Sequence, residues 1–118
     1  MRHLESALQK DCVQWFRYQY PRLARLLFSV PNGGKRGKVE AAILKAEGAV
    51  SGVSDLILLV SNGVYHSLCI EMKQGKGKQS ENQKEWQKAV ELHKNKYVVC
   101  NSFESFTETI KDYLKHYE

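Results

Sequence analysis

Gly52-Val53-Ser54-Asp55-Leu56-Ile57-Leu58-Leu59-Val60 and Val64-Tyr65-His66-Ser67-Leu68-Cys69-Ile70-Glu71-Met72-Lys73 are the two stretches that decide the fold. The apolar run Leu56 to Val60 is continuous, as in a strand buried on both faces. Ser61-Asn62-Gly63, between the two stretches, reads as a hairpin turn. In the second stretch Leu68, Ile70 and Met72 alternate toward a core. Glu71 and Lys73 are two residues apart, so they share the opposite face. A strand that is apolar on one face and ends in Glu-x-Lys on the other is not a typical sheet edge. Its polar end belongs to a site.

Hairpin register decides whether Asp55 joins that site. A two-residue Asn62-Gly63 turn sets Asp55 opposite Ile70 and turns it away from Glu71. A three-residue Ser61-Asn62-Gly63 loop, with Gly63 left-handed in a bulge, sets Asp55 opposite Cys69. Asp55 then stands one diagonal step, roughly 7 Å, from Glu71 on the same face. A shared site therefore demands an odd-length loop or a bulge. Two carboxylates, a backbone carbonyl such as that of Met72, and water make an oxygen-rich site for a hard cation, Mg²⁺ or Mn²⁺. Such an ion acidifies bound water and stabilises charge on a phosphate under attack. Lys73, beside it, is placed to orient or deprotonate water or to neutralise that charge.

Working outward, Leu4, Leu8, Cys12 and Trp15 form the apolar stripe of a first helix over residues 2–18, which Pro21 helps to end. Leu26 to Val30 reads as a short strand. The loop Pro31-Asn32-Gly33-Gly34 carries Lys35, Arg36 and Lys38 on its far side. Residues 38–47 read as a short helix stopped by Gly48. Gln74 to Lys78 is a basic, glycine-containing loop. Ser80 caps a helix running to about Lys94, with Trp86, Ala89, Val90 and His93 on its inner face. Tyr97 to Cys100 is a further strand, and Ser102 or Ser105 opens a last helix with the stripe Phe106, Ile110, Tyr113 and Leu114. The order is α-β-α-β-β-α-β-α: an α/β fold with a central mixed sheet flanked by helices.

The chain has 118 residues, read as one domain over residues 1–118, and is 42% hydrophobic and 26% charged. A domain of this size buries roughly two-thirds of its unfolded surface and folds without a metal or disulfide staple. An apolar run of five, Leu56 to Val60, cannot cross a bilayer, which excludes a membrane protein; no apolar leader follows Met1. A net charge of +5 permits nucleic acid as a partner without requiring it. Cys12, Cys69 and Cys100 are widely spaced, which argues against a zinc site and fits a reducing, cytoplasmic compartment. Cys69 and Cys100 read as small apolar filler in strands, and the four histidines have no ligand spacing.

Gly52-Val53-Ser54-Asp55 followed by Glu71-Met72-Lys73 resembles the PD-(D/E)XK nuclease motif. With Glu5 in the first helix, the loop Pro31 to Arg36, and Gln83-x-x-Trp86, the chain is similar to the VRR-NUC domain, the virus-type replication–repair nuclease. The likeness runs in order from Glu5 to Trp86. One departure is Ser54, where family members usually carry proline; the position shapes the turn and is not a ligand. The resemblance implies a restriction-endonuclease-like fold and Mg²⁺- or Mn²⁺-dependent endonucleolytic cleavage of DNA. Branched DNA such as a Holliday junction is the expected substrate, and a bacterial or phage homodimer the expected assembly.

On this reading Asp55, Glu71 and the Met72 carbonyl hold the metal, and Lys73 serves the water or the transition state. Glu5 is the candidate for a second metal or a metal-bound water, and Gln83 for orienting Lys73 or the phosphate. Asn32, Lys35, Arg36, Lys76 and Lys78 are the candidate DNA-backbone contacts. Other readings stand beside these. Glu5 also suits the positive end of a helix dipole. Gln83, three after Ser80, also completes a capping box. Trp86 reads as core rather than as a stacking platform. A nuclease for flaps, nicks or duplex ends would use the same chemistry, and a non-catalytic DNA-binding module the same fold. The surplus of Trp15, Phe16, Tyr18, Tyr20, Leu23, Leu26 and Leu27 fits either a subunit interface or a satellite core under the Pro21 turn.

Overall fold

The computed structural model describes residues 2–31, 37–75 and 77–117. The order is α1 (Arg2–Gln19), a 3₁₀ helix (Pro21–Leu26), β1 (Leu27–Ser29), α2 (Lys38–Ala46), β2 (Leu56–Leu58), β3 (Leu68–Met72), α3 (Glu81–Leu92), β4 (Lys96–Cys100) and α4 (Phe103–Tyr113). The four strands lie side by side in chain order. β1 and β2 are antiparallel, as are β2 and β3, whereas β3 and β4 run parallel with α3 as the crossover. The sheet is therefore mixed, with two antiparallel pairings and one parallel pairing that needs a helical crossover.

The two faces of the sheet carry different loads. On one, Leu27, Leu56, Leu58, Leu68, Ile70 and Met72 pack against Cys12 and Phe16 of α1 and Phe106, Ile110 and Tyr113 of α4. This is the apolar core. On the other, the ladder aligns Phe28, Ile57, Cys69 and Tyr97. Trp86 of α3 meets Tyr97 edge-on at 6.1 Å. Glu71 belongs to this second face, one pleat beyond Cys69. All five residues of β3 are buried, because it is a central strand with helices on both sides.

Several boundaries differ from the expected ones for tertiary reasons. Pro21 does end α1, but the chain continues as a 3₁₀ helix, with Pro21 in its first turn, before β1 begins. β2 stops at Leu58, and Leu59 is 58% exposed rather than buried. The inner side of α3 is formed by Gln83, Trp86, Gln87 and Val90, while Ala89 and His93 face solvent. The aromatic surplus at the end of α1 is mostly consumed within the chain. Phe16, Leu23 and Leu27 are buried, and Trp15 packs edge-on against Tyr20, Phe103 and Phe106. They join the main core rather than forming a separate satellite core, and Tyr18 and Leu26 stay exposed.

The β2–β3 connection is not a tight turn. It spans residues 59–67 and is organised by Asn62, whose Oδ1 accepts from the amides of Val64 and Tyr65 at 2.9 and 2.8 Å. Its Nδ2 donates to the Tyr113 carbonyl, and the Tyr113 hydroxyl donates back to Val60 O at 2.6 Å. Gly63 has φ +90°, the left-handed conformation expected of it. The resulting register pairs Leu56 with Ile70, Ile57 with Cys69 and Leu58 with Leu68. Continued by one residue, it sets Asp55 directly opposite Glu71. Both tight-turn registers are thereby corrected, because a wide loop tied to α4 replaces the turn; the face parity of the odd-loop alternative is retained.

Candidate active site

Val30 N–H bonds Asp55 O, so the backbone of Asp55 turns toward β1. The Asp55–Glu71 pair is therefore of the non-hydrogen-bonded kind, in which facing Cα atoms are about 4.5 Å apart and side chains are closest. Asp55 Oδ2 accepts from Met72 N–H at 2.7 Å, taking the place a β2 carbonyl would have filled. A strand residue directs its N–H and C=O to the same side, so the Met72 carbonyl also faces the Asp55 edge. Ser54 is fully buried, and its hydroxyl donates to Leu56 O at 3.2 Å. That bond ties the turn locally.

Glu71 is a buried carboxylate, 3% exposed. Its Oε2 accepts from Gln83 Nε2 at 2.9 Å and lies 3.9 Å from Lys73 Nζ. Its Oε1 is buried with no hydrogen-bond partner. Burial pushes the Glu71 carboxyl up to about 8; the facing Asp55 carboxylate adds to the rise, Lys73 opposes it, and Glu5 adds to it. A buried acceptor without a donor is costly. Two carboxylates face to face with one orphaned oxygen form a donor set that a hard cation satisfies. The residues present thus fit a divalent ion.

Gln83 serves two ends at once. Its Oε1 accepts from Ser80 N–H at 2.8 Å while the Ser80 hydroxyl accepts from Gln83 N–H at 3.2 Å, a full capping box. Its Nε2 is left for Glu71. The capping box is thus formed, and the remaining amide group bonds Glu71 rather than the expected Lys73. Glu5, in the first turn of α1, accepts from Gln74 N–H at 3.2 Å. It does not join Asp55 and Glu71 in a three-acid cluster: among the described residues no three His, Cys, Asp or Glu side chains come together closely enough to hold an ion.

Glu5, Asp55, Glu71, Met72, Lys73 and Gln83 line a single cleft of about 530 Å³. Lys78 is exposed beyond it. Asn32, Lys35, Arg36 and Lys76, the other candidate DNA contacts, lie outside the described residues. Sequence reasoning missed Ser6 and Gln9, which also line the cleft. Gln9 stands one helical turn after Glu5, and that spacing was the available signal. It also missed the packing role of Gly52, whose φ is +88° and which sits against the first turn of α3.

A carboxylate pair and an adjacent lysine at the end of a mixed sheet, held by the helix that follows, define the class as PD-(D/E)XK-type nucleases. The chain belongs to the VRR-NUC domain family, whose model matches residues 3–104. A solved structure described as a VRR_NUC domain protein is 27% identical, superposes with a TM-score of 0.82, and is aligned over 94% of this chain and 88% of its own. A comparison with curated proteins found no match. Family membership implies a nuclease, DNA as substrate and a divalent metal. Among the described residues no helix is long and apolar enough to cross a membrane.

Proposed function

We propose that this protein is a Mg²⁺- or Mn²⁺-dependent endonuclease that hydrolyses phosphodiester bonds in branched DNA such as Holliday junctions. The observation that carries the reading is the buried Glu71 carboxylate, set opposite Asp55, with one oxygen orphaned and Lys73 within ion-pair distance. Such an arrangement costs stability and is explained by the group it receives.

Asp55, Glu71 and the Met72 carbonyl would hold the ion. When bound, it supplies an acidified water and neutralises charge on the scissile phosphate. Gln83 fixes the Glu71 carboxylate through its amide. Lys73 places a positive charge beside the carboxylates, where it orients the attacking water or meets the charge that develops on phosphate. Glu5 sits at the rim of the cleft, in position to hold a water rather than the ion itself. Lys78, with Asn32, Lys35, Arg36 and Lys76, would contact the DNA backbone.

A four-way junction needs two symmetric cuts, and a twofold dimer supplies them most simply. The apolar surface that supports a dimer is on α2, which buries no residue and leaves Val39 75% and Ile43 52% exposed one helical turn apart. The deciding experiment is cleavage of four-way junction, flap, nicked and linear duplex side by side, with Mg²⁺, Mn²⁺ or excess chelator. Preferential junction cutting that vanishes in chelator is expected. Robust cleavage in chelator removes the metal mechanism, and equal cutting of all four removes the junction preference. Light scattering tests the assembly, with a mass near 13.6 kDa denying the dimer.

A further inference from the structure

We propose that the crease between α1 and the open edge of β1 carries an unpaired DNA strand leaving the candidate active site. The proposal rests on the nuclease reading but not on its junction preference: it concerns substrates that carry an unpaired strand, such as flaps. A second cleft, of about 390 Å³, shares Ser6, Gln9 and Ser29 with the first, so the two form one continuous groove. Its helical wall is Ser6, Lys10, Val13 and Arg17, spaced three or four residues apart on one face of α1. The stripe Leu8, Cys12 and Phe16 of the same helix packs into the core, and Val13 borders it.

The groove is built for a polyanion. Lys10 and Arg17 are both exposed, and neither is in an ion pair among the described residues. No acidic side chain lines this cleft. Lys10 and Arg17 are two helical turns apart, roughly 10 Å along the axis at 1.5 Å per residue. The other wall is the first strand of the sheet, which has β2 on one side and, among the described residues, no strand on the other. Val30 N–H bonds Asp55 O and Leu59 N–H bonds Leu26 O, so alternate residues of this edge face β2. The N–H groups of Leu27 and Ser29 therefore turn outward, into the groove. Outward amides on one wall and two cations on the other complement a phosphate backbone.

An unpaired backbone can lie in a crease between one helix and one strand. Phe28, 41% exposed, lines the same groove at its sheet rim and offers apolar surface to an unstacked base. A basic track with an exposed aromatic is the usual make-up of a single-strand path. The groove opens directly onto the cleft of Asp55 and Glu71, so a strand lying in it is continuous with the one presented for cutting.

The test is binding in excess chelator, where no cleavage intervenes, of a short fluorescent oligothymidylate and of a blunt duplex of equal length. Wild-type protein is compared with the double variant Lys10→Ala, Arg17→Ala, both exposed positions; matching thermal melts establish that the variant is folded. The variant should lose about tenfold or more in oligothymidylate affinity, with little change on duplex. Its slope of log K against log salt should flatten by about 1.4, at roughly 0.7 per single-strand phosphate contact. No oligothymidylate binding by wild type, unchanged affinity and slope, or equal losses on both probes overturns the path. Failure of the nuclease reading shows separately, as no cleavage of any substrate with Mg²⁺ or Mn²⁺.

Discussion

Replacing Gly52 by alanine should damage the fold and the candidate site together, and the size of the effect can be worked from two glycines. Gly52 has φ +88° and Gly48 φ +112°, so alanine is strained at both. The left-handed region costs an L-residue roughly 1–2 kcal/mol. A methyl at Gly48 meets nothing within 4 Å. A methyl at Gly52 overlaps the Asn82 carbonyl and comes within 2.8 Å of the Gln83 amide nitrogen. Both are backbone atoms of the first turn of α3 and cannot swing aside. Overpacking of this kind costs about 1–3 kcal/mol more. Gly48→Ala should therefore lose about 1–2 kcal/mol, and Gly52→Ala about 2–5 kcal/mol. Relief comes from moving the start of α3 away from the sheet, which lengthens the 2.9 Å bond from Gln83 to Glu71. The assay is urea unfolding of both variants, with cleavage rates measured where each is folded. Gly48→Ala should cleave like wild type and Gly52→Ala more slowly. Equal stability loss in the two would refute the close approach of the Gly52 loop to α3.

Lys73→Ala keeps both carboxylates and should lower turnover about a hundredfold or more while DNA affinity in chelator changes little; near wild-type turnover removes Lys73 from the mechanism. Gln83→Glu retains an oxygen for the capping box but removes the donor to the buried Glu71, so stability should fall by about 1–3 kcal/mol and activity roughly tenfold to a hundredfold, the usual effect of losing a ligand's supporting bond; unchanged stability and activity would remove the Gln83–Glu71 bond from the site. Tyr113→Phe should cost about 1 kcal/mol, because it leaves the buried Val60 carbonyl without its donor; chemical denaturation measures it. Burial, with a smaller contribution from Cys69, raises the Tyr113 hydroxyl from 10.0 to about 12. The folded chain then holds this proton more tightly than the unfolded chain, so stability is unaffected below about pH 10 and falls between 10 and 12. Tyr113→Phe should fall less steeply there, and an identical slope would contradict the linkage.

The helices and strands were legible because their stripes are local. Phe106, Ile110, Tyr113 and Leu114 read as one face of a helix and are buried as one. The Glu71-x-Lys73 pair was legible for the same reason, as a departure from alternation at the end of a core strand. The register of Asp55 was not. It depends on Asn62 and Tyr113, which are 51 residues apart in the chain and meet only after α4 docks. The double duty of Gln83 was visible as two competing interpretations, and no one-dimensional pattern says that one amide can satisfy both. Gly52 was read as part of a motif, while its reason for being glycine lies across space in α3. The groove along α1 was hidden because attention to the apolar stripe leaves the adjacent stripe unexamined, although Ser6, Lys10, Val13 and Arg17 have the same periodicity.

The division of labour between the two faces of β3 explains how so small a chain tolerates its candidate site. Leu68, Ile70 and Met72 are buried almost completely against α1 and α4. Fully burying each such side chain contributes about 1.5–3 kcal/mol. On the other face of the same strand Glu71 is buried and one of its oxygens is unpartnered, which costs stability without a cation. The strand that carries the penalty is thus the one anchored by the core, and its backbone cannot relax to solvate the carboxylate. α3 closes the arrangement from above: its first turn is seated on Gly52 and capped by Ser80, and the amide of Gln83 left over from that cap holds Glu71 in place. The Glu71 carboxyl group is oriented before any ion or substrate arrives, at a cost that the apolar face of β3 offsets.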